Sequence, residues 1–373
     1  MNLGQIGFDG GGHPPDGRSR PVGVLIVDDT RAARATIRAV LGADPRFAVL
    51  GEASDAYTAR EQIKALAPDV LTLDVEMPGM NGLTFLRNLM RLRPMPVVMV
   101  SSRTQDGSAT ALEALSIGAV DCVDIRSVAV SAEARTRLAD TIFAAAGARV
   151  RARGTSRLRT PGDEAPVPPG GRADAPFAWN GRIVLIGAST GGVDALERVL
   201  SRFPPDGPPT LVAQHMPRNF LASFAERLNA SVAPEVRLAE HGAPALPGTV
   251  LIAPGGRFHL AVRSGAPSRA RLVEDAGDQL YVPSVDLLFR SALDCAPRIV
   301  AVVLTGMGRD GAEALALLHA RGAETVVQNA ETAVVDGMPG AARATGAATW
   351  VVPLDQVAHT ILQITSRTSE GPR

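Results

Sequence analysis

A chain of 373 residues is too long for one ordinary domain and suits two, with a connecting segment between them. Hydrophobic residues make up 46% and charged residues 20%, enough apolar material for each half to build its own core. The 38 Lys and Arg balance 38 Asp and Glu and aromatics are only 4%, which argues against nucleic-acid binding through bulk charge or base stacking. Cys122 and Cys295 form neither a metal-spaced nor a disulfide-framework pattern and read as buried free thiols. The first twenty residues lack the apolar core of a secretory signal, and no run approaches the roughly 18 apolar residues of a membrane span. A cytoplasmic protein with no direct membrane insertion is expected.

Taken in chain order, the apolar run Val22–Val27 ends in Asp28-Asp29 and leads into a helical pattern from Thr30 to Leu41. The alternation repeats through candidate strands Phe47–Leu50, Val70–Leu73, Val97–Val100 and Val120–Val123, and closes on a helix from about Ser131 to Ala146. Short apolar strands alternating with helices predict an α/β unit with a five-stranded parallel sheet. From Gly147 to about Ala178 the sequence is dense in Arg, Pro, Gly and Ala with no periodicity, the composition of a linker. A second α/β unit starts at Arg182, with strands Ile183–Ile186, Thr210–Ala213, Val250–Ala253, Ile299–Leu304 and Thr325–Val327. Closely spaced strands between Glu235 and Gln279 suggest a β-rich insertion. The expected organisation is a disordered tail over 1–20, a first domain over 21–146, a flexible linker over 147–178 and a second domain over 179–369.

Ligands of open parallel sheets sit beyond the carboxyl ends of the strands. Asp28, Asp29 and Asp74 fall at such ends, and Ser101 sets a hydroxyl at the end of the fourth strand. A lone Asp there most often caps the next helix. Three clustered carboxylates repel one another and call for a cation, and hard oxygen ligands suit Mg²⁺. On Asp28-Asp29, the run Leu73-Asp74-Val75-Glu76-Met77-Pro78-Gly79-Met80-Asn81-Gly82, Val100-Ser101-Ser102 and Gly118-Ala119-Val120-Asp121, the region resembles a response-regulator receiver domain. The resemblance implies a flavodoxin-like sheet and phosphorylation of Asp74 by a sensor histidine kinase. It also implies Mg²⁺ held by Asp29, Asp74 and the backbone carbonyl of Glu76. It departs at the end of the fifth strand, where Ile125 and Arg126 stand in place of the family's Lys-Pro. Isoleucine cannot pair with a phosphorylated aspartate.

In the second unit, strand Ile183–Ile186 runs into Gly187-Ala188-Ser189-Thr190-Gly191-Gly192 and then a helix. Such a turn is either a phosphate loop or a nucleophile turn. The spacing is not Gly-x-Gly-x-x-Gly and no Lys-Ser/Thr follows, which weakens the phosphate reading. A serine nucleophile needs a base and an orienting carboxylate. His215 in Gln214-His215-Met216-Pro217 and Asp310 in Thr305-Gly306-Met307-Gly308-Arg309-Asp310-Gly311 each follow a core strand. Any one of the three reads equally well as a cap or a rim residue. Together they meet the needs of one mechanism.

These motifs, with Ala253-Pro254-Gly255-Gly256, Pro283-Ser284-Val285-Asp286 and Gly337-Met338-Pro339, resemble the chemotaxis protein-glutamate methylesterases, the CheB family. The resemblance implies a doubly wound α/β catalytic domain in which Ser189 attacks the γ-methyl ester of glutamate on methylated chemoreceptors. His215 would be the base, Asp310 its orienting group and the Met307 amide an oxyanion donor, with no cofactor for the hydrolase. It further implies deamidation of receptor glutamines, and a receiver that blocks the active-site rim until Asp74 is phosphorylated. A rival reading is a non-hydrolytic phospho-responsive binding protein or phosphate sink; a nucleotide-binding Rossmann-type enzyme is a third.

Overall fold

The structure, a computed structural model, describes residues 20–77, 79–101, 107–148, 150, 176–277 and 279–367. The expected tail, apart from Arg20, and most of the expected linker lie outside the described residues. In the N-terminal unit, strands β1 Val22–Val27, β2 Phe47–Ala53, β3 Val70–Asp74, β4 Val97–Ser101 and β5 Asp121–Asp124 alternate with helices. The helices are α1 Arg31–Gly42, α2 Ala56–Leu66, α3 Gly82–Leu92, α4 Gly107–Ile117, α5 Ile125–Val130 and α6 Ala132–Ala146. All six residues of β1 are buried, because helices cover both faces of a parallel sheet. Side chains mark several helix starts: Asp55, Asn81 and Ser131 each accept a backbone N–H of the following first turn.

Strand order is β2-β1-β3-β4-β5, all parallel. Val27 pairs with Leu73, so the carboxylates that follow β1 and end β3 meet at one edge. The fifth strand begins one residue later than the apolar pattern suggests and ends at Asp124, where α5 begins at once.

The C-terminal unit holds strands β6 Ile183–Ala188, β7 Thr210–Gln214, β8 Glu235–Leu238, β9 Thr249–Ile252, β10 Phe258–Arg263, β11 Arg269–Glu274, β12 Ile299–Val303, β13 Glu324–Gln328 and β14 Trp350–Val352. Its helices are α7 Gly192–Leu200, α8 Arg218–Ser231, α9 Val285–Arg290, α10 Ala312–Ala320, α11 Gly337–Ala344 and α12 Leu354–Thr365. Seven strands form a parallel sheet in the order β14-β13-β12-β6-β7-β9-β8, and β10 with β11 makes a separate antiparallel ribbon. The expected β-rich insertion is therefore narrower than the sequence suggests: β8 and β9 extend the main sheet, and only the ribbon stands apart. The two ends of the C-terminal unit are tied together, since Asn180 Nδ2 donates to the Ile364 carbonyl at 2.8 Å and Trp179 bridges Ser366.

From β6 the chain turns first to β7 on one side and later to β12 on the other. That reversal opens a crevice at the carboxyl end of β6, where doubly wound folds bind ligands. The two units touch through α4, which packs on α7 and α8, and one apolar cluster runs from Leu112 and Leu115 to Leu196 and Phe224.

Candidate active site

Ser189 is the first residue beyond β6, at the crevice. Its backbone is pinned on both sides: its N–H donates to the Thr305 carbonyl at 3.1 Å, and its carbonyl accepts from Gly192 N–H and Gln214 Nε2 at 2.7 and 2.9 Å. The turn that follows needs glycine at 191, where φ is +79° and a Cβ would lie 2.8 Å from Val334 Cβ. Ala188 pairs with Gln214, so Ser189 and His215 are the next neighbours on adjacent parallel strands. That register sets the two residues on neighbouring strand ends at the crevice.

His215 Nε2 lies 2.8 Å from Asp310 Oδ2, with both side chains buried. A carboxylate only accepts, so Nε2 carries the proton and Nδ1 keeps its lone pair. Nδ1 is buried and has no partner among the described residues. It is the basic atom, the reverse of the ring orientation in chymotrypsin-type triads. Asp310 also accepts Val285 N–H on Oδ2 at 2.7 Å, and Asp286 N–H and the Ser284 hydroxyl on Oδ1 at 2.8 and 3.2 Å. Burial works to raise this carboxyl, but the His215 bond and charge and the two amides outweigh it and hold it below the usual carboxylate range. The charge stays on Asp310 and the proton on the ring.

The Thr305–Asp310 turn lies directly against the nucleophile. A Cβ at Gly306 would come within 2.7 Å of Ser189 Cβ and 3.0 Å of Ser189 N, so only glycine permits the approach. Gly306 N–H donates to Val335 O and its carbonyl accepts Met338 N–H, which anchors the segment carrying Met307.

Tyr281, which no motif marks, also reaches the site. Its ring stacks on His215 with centroids 4.2 Å apart and planes 7° from parallel. Burial, then the negative charges of Asp140 and Asp310, push its phenol up, which keeps the stacked ring neutral. Nothing in the local sequence marks it, because the contact spans the loop after β11 and the end of β7.

The N-terminal unit reaches the same rim. Thr190, next to the nucleophile, donates its hydroxyl to Asp121 Oδ2 at 2.7 Å. Burial between the units pushes the Asp121 carboxyl up, against the Thr190 and Cys122 hydrogen bonds. Arg227 bonds the Leu112 carbonyl and Glu197 at 3.0 Å each. The cavity left between the units is about 1100 Å³ and is lined by Ser189, Thr190, His215, Asp121, Val150 and Arg198 among others.

At the edge of the first sheet, carboxylate oxygens of Asp28, Asp29 and Asp74 all lie within 4.8 Å of one another. Asp28 Oδ1 accepts the Thr30 N–H and hydroxyl at 2.8 and 2.7 Å, a local turn just ahead of α1. Burial, then the charge of Asp28, lifts the Asp74 carboxyl to about 7, against N–H donors at Glu76 and Val75. Crowded carboxylates of this kind fit a hard divalent cation. The Glu76 side chain is exposed, and Ser101 ends β4 on the same edge, although its side chain lies outside what the structure describes. Ile125 is buried in the core, and Arg126 pairs with Asp124 at 3.1 Å. The strand has already ended there, yet the guanidinium bonds its neighbour.

Comparison with known proteins agrees with both halves. Residues 184–361 match the CheB methylesterase family and residues 24–125 the response regulator receiver domain family. The protein-glutamate methylesterase/protein-glutamine glutaminase 1 of Rhizobium johnstonii is 47% identical over 356 residues, 95% of this chain and 99% of its own. That of Caulobacter vibrioides is 46% identical over 347 residues, covering 92% and 98%. Among solved structures, the Thermotoga maritima CheB methylesterase catalytic domain is 33% identical with a TM-score of 0.48, covering 49% of this chain and 98% of that one. The receiver of Thermotoga maritima CheB is 35% identical with a TM-score of 0.32, covering 35% and 99%. With a receiver ahead of a catalytic domain and close relatives along nearly its whole length, the chain belongs to the CheB methylesterase family.

Proposed function

We infer that this chain is a receptor-modifying serine hydrolase, a protein-glutamate methylesterase and protein-glutamine glutaminase under the control of its receiver. The observation that carries the reading is the His215–Asp310 pair, whose opposite ring nitrogen is left without a partner among the described residues, at the end of the strand next to the one that leads into Ser189. Ser189 Oγ attacks the γ-carbonyl carbon of a glutamyl methyl ester while Nδ1 of His215 takes the hydroxyl proton. The tetrahedral oxyanion is met by backbone N–H groups, that of Met307 among them. The C–O bond to the methoxy group breaks, His215 returns its proton, and methanol leaves. Water, deprotonated by His215, then cleaves the acyl-enzyme and frees the glutamate. With a glutamine substrate the same steps release ammonia. General-base help contributes about 10²–10⁴-fold and one oxyanion donor about 10²–10³-fold.

The chemoreceptor is the substrate and a sensor histidine kinase the phosphodonor in this reading, by membership of the family. Asp74 accepts the phosphoryl group, with Asp29 and the Glu76 carbonyl as metal ligands beside it. Mg²⁺ in that pocket supplies charge neutralisation for phosphoryl transfer. Asp74 must be ionised to attack, and its crowded setting opposes that unless a cation balances Asp28 and Asp29. The receiver over 21–146 restrains the catalytic domain over 179–369 through the Asp121–Thr190 bond at the active-site rim. No helix among the described residues is long and apolar enough to cross a membrane, in keeping with a cytoplasmic enzyme.

Four outcomes are expected. Ser189→Ala lowers methanol release from methylated receptor at least about 10³-fold, and Asp310→Asn about 10²–10⁴-fold; wild-type rates in either variant would remove the triad. Tyr281→Ala lowers kcat about threefold to tenfold while Tyr281→Phe keeps it, because the ring face and not the hydroxyl makes the stack. Asp121→Ala raises the rate of unphosphorylated enzyme about tenfold and shrinks the gain given by a small-molecule phosphodonor. An unchanged basal rate would show that this contact does not restrain the site. The fourth concerns pH. Asp74 is raised above the ordinary carboxylate value of about 3.9, so its contribution to stability is full below that pH and is lost as pH climbs through about 7. In EDTA the receiver's melting temperature should therefore fall between pH 5 and 8, Mg²⁺ should restore more at pH 8 than at pH 5, and Asp74→Asn should flatten both trends.

A further inference from the structure

His259 lies on β10 of the antiparallel ribbon, four strands on from β6 and the nucleophile in the chain's order, and takes no part in the steps above. It is 1% exposed, an unusual place for an imidazole, and both of its ring nitrogens are engaged. Nδ1 accepts the Ser284 N–H at 3.0 Å, so it carries no proton. Nε2 therefore bears the hydrogen and donates to Asp275 Oδ1 at 3.2 Å. Asp275 begins the loop that leaves β11 and Ser284 ends it at the start of α9. One side chain thus ties the two ends of the loop together at its neck.

Two features of that loop bear on catalysis. Tyr281 lies within it and covers one face of His215. Its last residue, Ser284, opens the Ser284–Asp286 turn, whose hydroxyl and two amides all donate to Asp310. The ring of His215 is held on its edge by Asp310 and on its face by Tyr281; Tyr281 lies in the segment whose neck His259 closes, and Asp310 is bonded by Ser284, which ends it, and by the two residues that follow. At the entry side the Asp275 N–H also donates to the Arg257 carbonyl at 2.8 Å; at the exit the Ser284 side chain is taken up by Asp310 and the cap of α9, and its backbone N–H is held by His259.

We propose that His259, fixed in its neutral Nε2–H form by Ser284 and Asp275, is a positioning residue of the hydrolase, clamping the 275–284 loop so that Tyr281 and Asp310 hold the His215 ring toward Ser189. It touches neither substrate nor nucleophile. Misplacing a catalytic group by about 1 Å costs on the order of 10²-fold in rate, so a side chain that sets the loop's exit acts on kcat without contacting the reacting atoms. The proposal rests on the hydrolase reading for its effect on rate, but the clamp itself has a readout independent of activity.

The experiment compares His259→Leu, His259→Asn, Asp275→Ala and the double variant His259→Leu/Tyr281→Ala in the full-length chain. Leucine removes both bonds. Asparagine places a carbonyl oxygen near the Nδ1 position and keeps the bond to Ser284. Two measurements are made: steady-state methanol release from methylated receptor, and hydrogen exchange of the peptide spanning Ser284, Val285 and Asp286. His259→Leu should lose about 10²-fold in kcat with KM changed less than threefold, and the 284–286 amides should exchange at least tenfold faster. His259→Asn should recover at least tenfold in kcat and most of the protection, and Asp275→Ala should fall between the two. Adding Tyr281→Ala to His259→Leu should cost less than Tyr281→Ala does alone, since the stack is already lost. Wild-type kcat and exchange in His259→Leu would overturn the clamp. So would an Asn variant as impaired as the Leu variant at equal melting temperature, and if His259→Leu fails to fold, the Asn and Asp275→Ala variants decide on the same measures. A wild-type chain without esterase activity would sink the hydrolase reading instead, and the exchange pattern would still decide the clamp.

Discussion

The carboxylate of Asp310 is the point on which the catalytic unit turns. A buried charge is tolerated only when it is paired and hydrogen-bonded, and here four donors from two segments meet on the two oxygens of a residue from a third. The donors come from the end of β7 and from the residues that start α9, while Asp310 itself follows β12. Satisfying this one group therefore fixes where three loops stand relative to one another. It also fixes which nitrogen of His215 holds the proton, and so which one is basic. The lowered carboxyl and the unpartnered Nδ1 are two consequences of the same arrangement.

Around that group the structure also sorts the competing readings of the glycine-rich turn after β6. A phosphate loop needs free amides at the helix start. Here Ser189 N–H is committed to the Thr305 carbonyl and Gly192 N–H to the Ser189 carbonyl. Two of the amides that would cradle a phosphate are thus spent in shaping the turn, which weakens the phosphate reading. The same commitments bring Gly306 against Ser189 and set the Met307 segment beside it.

The two units behave as one packed body at their junction rather than as beads on a string. An apolar cluster runs continuously from α4 into α7 and α8, and a carboxyl that would prefer water sits between them on the Thr190 hydroxyl. Apolar contact supplies non-directional affinity, and a partly desolvated carboxyl makes the seat sensitive to anything that offers it solvent. A restraint of this composition can hold and still be released by a modest push. The residue that would transmit such a push from Asp74 is not the usual lysine, since Ile125 is in the core and Arg126 bonds Asp124.

Much of this protein is legible in its sequence, for physical reasons that can be named. Parallel strands buried on both faces are continuous apolar runs, so β1, β3, β4, β6, β7 and β12 stand out, and the loop that follows each run is placed at the carboxyl edge by the fold class alone. That is why Asp28, Asp74, Ser189, His215 and Asp310 could be picked from the chain. The edge strand β14, three residues with an exposed Trp350, carries too little burial to leave a pattern, and β8, four residues at the sheet's other edge with one of them buried, looked like part of an insertion. Tyr281 and His259 were invisible for a different reason. Their roles come from contacts between the ribbon, its loop and the ends of distant strands, and no local spacing encodes such contacts. The sequence by itself determined the two α/β sheets and the edge at which chemistry collects. Only the tertiary structure decided which nitrogen of His215 is basic, what covers its ring, and that the N-terminal unit sits on Thr190, because those depend on side chains meeting across segments that the chain keeps far apart.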